Sequence, residues 1–106
     1  MKEKKEINEE NCLLLVSGSR GDKEEDKKYV KKLSNAILQV YYKYGLSKLR
    51  CVGAASVNIA IKAFIIAKGE AQKRGDNLII DPSFTTVSFE KEDKTGIIMD
   101  VKSLLP

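Results

Sequence analysis

The stretch Leu49–Gly69, LRCVGAASVNIAIKAFIIAKG, decides how this chain folds. Leu49–Val52 supplies strand-forming residues, Gly53, Ala54 and Ala55 make a turn of minimal side chains, and a helix follows. Ser56 reads as its N-cap, because a serine hydroxyl accepts from a free amide of the first turn. Gly69, after Ala67 and Lys68, reads as its stop. The helix is apolar nearly all round. Val57, Ala60, Ile61 and Phe64 form one row at helical spacing, and Ile59, Ala63 and Ile66 form a second. Asn58 and Lys62 are the clearly polar residues before Lys68, four apart on one face. Such a helix needs cover on more than one side: a sheet below, a helix beside it, or another subunit.

Outward from this unit, the chain alternates strands and helices. Cys12–Ser17 (CLLLVS) is a strand whose unbroken apolar character predicts an interior position. The loop Gly18–Asp22 follows, and Asp22 with Glu25 forms a capping-box start for a helix over Lys23–Tyr44. Val30, Leu33, Ile37, Val40 and Tyr44 make that helix's apolar stripe, with Lys27, Lys28, Lys31 and Lys32 mostly off it. Gly45 ends it. A second strand spans about Ser47–Val52. Asn77–Ile80 starts a third, which Pro82 interrupts, implying an edge or a bulge. Phe84–Phe89 continues it, Glu90–Lys94 turns, and Thr95–Val101 is the fourth strand. The expected class is α+β: a two-layer sandwich in βαβαββ order, a four-stranded mixed sheet with two helices on one face. The first two strands should lie parallel and adjacent, joined by a crossover helix.

Length and composition bound the rest. The 106 residues fit one domain, here residues 12–106, preceded by a charged tail over residues 1–11 that is expected to be disordered. No apolar run is long enough to span a bilayer, and the charged N-terminus has no secretory h-region, so a cytoplasmic protein without membrane contact is expected. Cys12 and Cys51 lie in apolar runs and read as buried free thiols. With no histidine and two separated cysteines, no metal site is expected.

The same missing histidine removes the commonest general base, and no serine has a recognisable activating partner. No enzyme activity and no cofactor are expected. Charge points elsewhere. The chain carries a net +4, yet residues 43–74 alone hold seven Lys or Arg against Glu70. A concentration of this kind points to a polyanionic partner or to a solvated lysine surface. Three features carry chemistry. The GAAS turn exposes amides at a helix N-terminus, although tight helix–strand packing needs small residues there too. The loop SGSRGDK brings Ser19, Arg20 and Lys23, a donor set suited to phosphate. The Asn58–Lys62 pair marks a ligand or subunit face, or a snorkelling lysine.

LLLVSGS, VGAASVNIAIKAFIIAKG and NLIIDPSFTTVSFEKEDKTGIIMDV together resemble the stage V sporulation protein S family, over roughly residues 13–101. That family has a similar K-V-S strand, an I-G-A-G-A-x-N-Q-A-V-K-A helix start closed by A-R-G, and a D-L-I-x-x-P-x-F strand. Gly53, Ala54, Asn58, Lys62, Gly69, Pro82 and Phe84 fall on this pattern. The resemblance implies an Alba-like fold, whose small basic members dimerise and bind DNA or RNA. Besides the extra charged tail, three departures stand out. The segment Gly18–Lys28 is longer, Ala55 replaces the second glycine, and Ile59 replaces the glutamine, which is expected to make the helix surface more apolar. The resulting expectation is a homodimeric DNA- or RNA-binding protein that contacts backbone phosphates. The candidate contacts are Ser19, Arg20, Lys23, Lys48, Arg50, Gly53, Ala54, Ser56, Asn58 and Lys62. Base stacking is not expected as the main term, because few exposed aromatics are identifiable. The competing expectation is a regulatory module acting through protein contacts, and a third is an anion or nucleotide at the GAAS turn.

Overall fold

The computed structural model describes residues 9–19 and 21–105. Two long helices, α1 (Lys23–Tyr44) and α2 (Ala54–Gln72), pack on one face of a four-stranded mixed sheet. The strands are β1 (Leu13–Leu15), β2 (Ser47–Cys51), β3 (Leu78–Ser88) and β4 (Asp93–Ser103), and the sheet order is β1-β2-β4-β3. β1 runs parallel to β2, and the other pairs are antiparallel. The expected βαβαββ two-layer class is therefore the observed one. Of the expected tail, residues 1–8 lie outside the described residues, and Glu9–Cys12 form one helical turn.

The ends of α1 follow from local chemistry. The Asp22 carboxylate accepts from the Glu25 amide at 2.8 Å. Glu24, Glu25 and Asp26 sit in the first turn, where the helix dipole favours negative charge. At the other end Gly45 takes a left-handed conformation (φ 80°), and its N–H donates to the Tyr41 carbonyl at 2.6 Å. Ser47, fully buried at the start of β2, donates its hydroxyl to the Ile37 carbonyl at 2.7 Å and so ties α1 to the sheet.

α2 departs from the sequence reading at both ends. It starts one turn earlier, with Gly53 in the N-cap position and Ser56 inside the first turn. The Ser56 hydroxyl is 1% exposed and lies 2.9 Å from the Val52 carbonyl and 3.0 Å from the Gly53 carbonyl. It therefore donates back toward the strand instead of capping an amide. Gly69 does not stop the helix. A glycine inside a helix costs only about 0.5–1 kcal/mol relative to alanine, and the packed Ala67–Ala71 face carries the helix on to Gln72. Closure comes at Gly75 (φ 85°), where its N–H bonds to Gln72 and the Asp76 N–H to Ala71, a Schellman arrangement.

The strands bring three further corrections. β1 is a three-residue edge strand, not an interior one. Its apolar run is shared out: Cys12 is buried in the preceding turn, Leu14 packs against the core, and Leu15 remains 60% exposed. Apolar character reports covered faces, and an edge strand is covered like its neighbour while lacking a hydrogen-bonded strand on one side. β3 is not interrupted at Pro82. It lies at the opposite edge, where proline's missing N–H is tolerated, and its register with β4 is unbroken from Leu78↔Ser103 to Ser88↔Asp93. Phe89 and Glu92 exchange both backbone hydrogen bonds around Glu90 and Lys91. The hairpin is thus tighter than the expected Glu90–Lys94 link.

The core lies between the layers. Ile37 and Leu33 of α1, Ile59, Ala60, Ala63 and Phe64 of α2, and Leu49, Leu78, Met99 and Val101 of the sheet are buried. Each large aliphatic among them contributes roughly 1.5–3 kcal/mol of burial. Small residues at Ala60, Ala63 and Ala67 let α2 approach closely. Ile59 is part of this core at 4% exposed, so the Gln-to-Ile departure does not enlarge the helix's outer apolar surface as expected. That surface comes from Ile61, Ile65 and Ile66.

Candidate nucleic-acid interface

The polar face of α1 carries Lys23, Lys27 and Lys31 at intervals of four residues. At 1.5 Å rise per residue, successive ammonium stems stand about 6 Å apart along the axis. α2 lies alongside and adds Asn58 and Lys62. Between the helices runs a groove of about 690 Å³, rimmed by these lysines, by Asp26 and by the exposed Ile65 and Ile66, with the buried Val30 and Ile59 at its floor. Among the described residues, none of Lys23, Lys27, Lys31 and Lys62 makes an ion pair. Of the other lysines, Lys28, Lys73, Lys94 and Lys102 pair with Glu25, Glu70, Glu92 and Asp81, whereas Lys32, Lys43, Lys68 and Lys91 make no ion pair among the described residues, so it is convergence on one groove that sets the four apart. Glu70, near the far end of the groove, has its carboxyl held below the usual range, first by its hydrogen bond from Lys73 and then by that lysine's charge, with a smaller effect of Lys31.

The expected contact residues divide between faces. Lys23, Asn58 and Lys62 line the groove. Lys48 and Arg50 do not join them. They alternate with buried Ser47, Leu49 and Cys51 and so face the side of the sheet away from the helices. There Lys48 is paired with Asp100, its cross-strand partner, at 3.1 Å. Ser19 is held by local contacts: its hydroxyl donates to Asp26 at 3.0 Å and accepts from the Gly21 amide at 3.2 Å. Arg20 lies outside the described residues. Ser56 is buried and committed to backbone carbonyls. Gly53 and Ala54 are exposed at the start of α2, where the first-turn amides have no helical acceptor.

Gly53 and Ala54 line a second hollow of about 630 Å³, set between the first two turns of α2 and the β3–β4 hairpin. Val57, Ile61, Phe84 and Ile97 wall it, and Asn58 and Thr95 bring polar groups. Asn58 lines both this hollow and the lysine groove. Cys51 forms part of its base. Burial pushes the Cys51 thiol up, and a hydrogen bond with Ser56 partly opposes this. Cys12 and Cys51 are both buried thiols outside any disulfide, as expected.

Sequence reasoning missed Lys27 and Lys31 as members of the site. Their four-residue spacing from Lys23 was the available signal. It also missed Phe84 as an exposed aromatic. Of the tyrosines, Tyr42 is exposed but donates to Asp76 at 2.6 Å and lies under Arg74, whose guanidinium stands 4.6 Å from its ring.

The Stage V sporulation protein S family model matches residues 25–104. The chain belongs to the stage V sporulation protein S family. The match begins within α1, so β1 and the loop carrying Ser19 and Arg20 precede it, while most of the lysine groove falls inside it. Membership implies a sporulation-related, regulatory role, in a family not known for enzymes. No helix among the described residues is long and apolar enough to cross a membrane.

Proposed function

We propose that this protein binds nucleic acid through backbone phosphates held by the rim of the α1–α2 groove. One observation carries the reading: Lys23, Lys27, Lys31 and Lys62, from two helices, converge on one groove and none is ion-paired among the described residues. Unpaired ammonium groups spaced along a helix suit a regular polyanion, and contacts to phosphate give affinity with little sequence preference. Asp26 is the one acid on the rim among the described residues, and it also accepts from Ser19. Regulation of gene expression is the role that such binding would serve within a sporulation family. Two buried thiols outside any disulfide support a reducing, cytoplasmic setting. Titration with duplex DNA, single-stranded DNA and RNA at rising salt tests the proposal. Affinity should fall steeply with salt, and absence of binding at low salt refutes it.

A second reading is favoured by Ile61, Ile65 and Ile66, which leave an apolar strip on the outside of α2. In that reading a second copy of the chain, or a protein partner, docks on the strip and the module acts through protein contacts. Light scattering separates the readings in part, since a strict monomer at high concentration excludes the homodimer. Charge reversal at Lys62 should weaken nucleic-acid binding and leave a protein complex largely intact.

A further inference from the structure

Phe84 is 81% exposed, the most exposed large apolar side chain among the described residues. It pairs with Ile97 across the hairpin, and Ile97 pairs with Cys51, so Phe84 stands on the helix-bearing face of the sheet. On the edge strand β3 it faces the first two turns of α2 across a hollow and is not packed beneath the helices. It walls the hollow at the start of α2 and, with Pro82, Ser83 and Ile97, a second depression of about 410 Å³. Neither the Asn58 amide nor the Thr95 hydroxyl, at the same hollow, hydrogen-bonds to another described residue.

We infer that this hollow receives an unpaired nucleobase, stacked on Phe84, and that the protein therefore prefers single-stranded over duplex nucleic acid. The inference rests on the phosphate-binding reading of the adjoining groove and sharpens it. Continuity argues for this occupant: Asn58 lines both the lysine groove and the hollow, so a strand whose phosphates follow Lys62 and Lys23 brings a neighbouring base to Phe84. Chemistry argues for a base. A hollow walled by one aromatic ring and aliphatic side chains, with a free amide and a free hydroxyl, offers a stacking platform and groups that read base edges. A base inside a duplex is already stacked on both faces and paired, so only an unpaired one can reach the ring.

The test uses the full chain, Phe84→Ala and Phe84→Tyr, with a labelled twelve-nucleotide single strand and the matching duplex at fixed low salt. Wild type should bind the single strand more tightly than the duplex. Phe84→Ala should weaken single-strand binding by about five- to 150-fold, leave duplex binding unchanged, and be rescued by Phe84→Tyr. Its thermal midpoint should match wild type, because the ring lies outside the core. Duplex and single-strand binding that are both indifferent to Phe84→Ala overturn this inference and leave the phosphate reading standing. Loss of both, together with a fall in solution mass, makes Phe84 a subunit contact and also overturns it. No binding of either by wild type overturns the inference together with the proposed function.

Discussion

Gly96 is held to glycine by its neighbours. A Cβ built on it would stand 2.8 Å from the Cys51 carbonyl oxygen, 3.2 Å from a Val87 methyl and 3.3 Å from a Val52 methyl. The first contact is with backbone of the neighbouring strand, which cannot rotate away. Gly96→Ala must therefore push β4 from β2 or compress two valines. Overpacking of this kind costs about 1–3 kcal/mol, against roughly 0.4–1 kcal/mol gained from a stiffer unfolded chain. Net destabilisation centred on about 1.3 kcal/mol and reaching at most about 2.6 kcal/mol, with about 4–8 °C in Tm per kcal/mol for a domain near this size, is expected. Gly69→Ala is the matched control. That glycine lies within α2 with nothing within 4 Å of its Cβ position, so alanine should stabilise by about 0.5–1 kcal/mol. Urea unfolding of both variants decides the matter. A Gly96→Ala protein as stable as wild type would refute the β2–β4 packing described above. A destabilised Gly69→Ala would restore Gly69 as the helix stop.

Other predictions follow from single contacts. Gly75→Ala should destabilise by about 1–2 kcal/mol in the same assay, because an L-residue resists the left-handed conformation that closes α2. Leu49→Ala, in a fully buried position of β2, should cost about 2–5 kcal/mol in thermal or urea unfolding. The Tyr42 hydroxyl is raised above its ordinary value, chiefly by its hydrogen bond to Asp76. A raised acid stabilises the fold while it is protonated, so this contribution holds below pH of about 10 and is lost as pH rises through the folded value. Wild type should lose more stability than Tyr42→Phe between pH 9 and pH 11, and equal losses would contradict the contact. Cys12 and Cys51 should react with a thiol reagent only as fast as the fold opens, measured against a denatured sample.

Much of the fold is written locally. Asp22 before an acidic first turn and Gly45 after an apolar stripe mark α1 to the residue, because both signals act within one helical turn. The features that escaped depend on distant partners. Ser56 looks like a cap until Val52 and Gly53 turn their carbonyls toward it. The CLLLV run does not say that β1 is an edge, since the order β1-β2-β4-β3 depends on where β4 inserts. The site divides in the same way. Lys48 and Arg50 are near Gly53 in sequence, yet strand alternation sends them to the opposite face, and Asp100, Lys48's partner, lies 52 residues away. Lys23, Lys27 and Lys31 could be grouped by spacing alone. Their convergence with Lys62 required the packing of α1 on α2. Phe84 reads as an ordinary strand aromatic, and its exposure follows from its place on an edge strand, across a hollow from the start of α2.

The claim that the groove lysines hold phosphates is tested most directly by the salt dependence of single-strand affinity in wild type and in Lys27→Gln/Lys31→Gln/Lys62→Gln. Four phosphate contacts predict a log–log slope of about −2.8 for wild type, and the one remaining contact predicts about −0.7 for the triple variant. Two equal slopes would contradict the account.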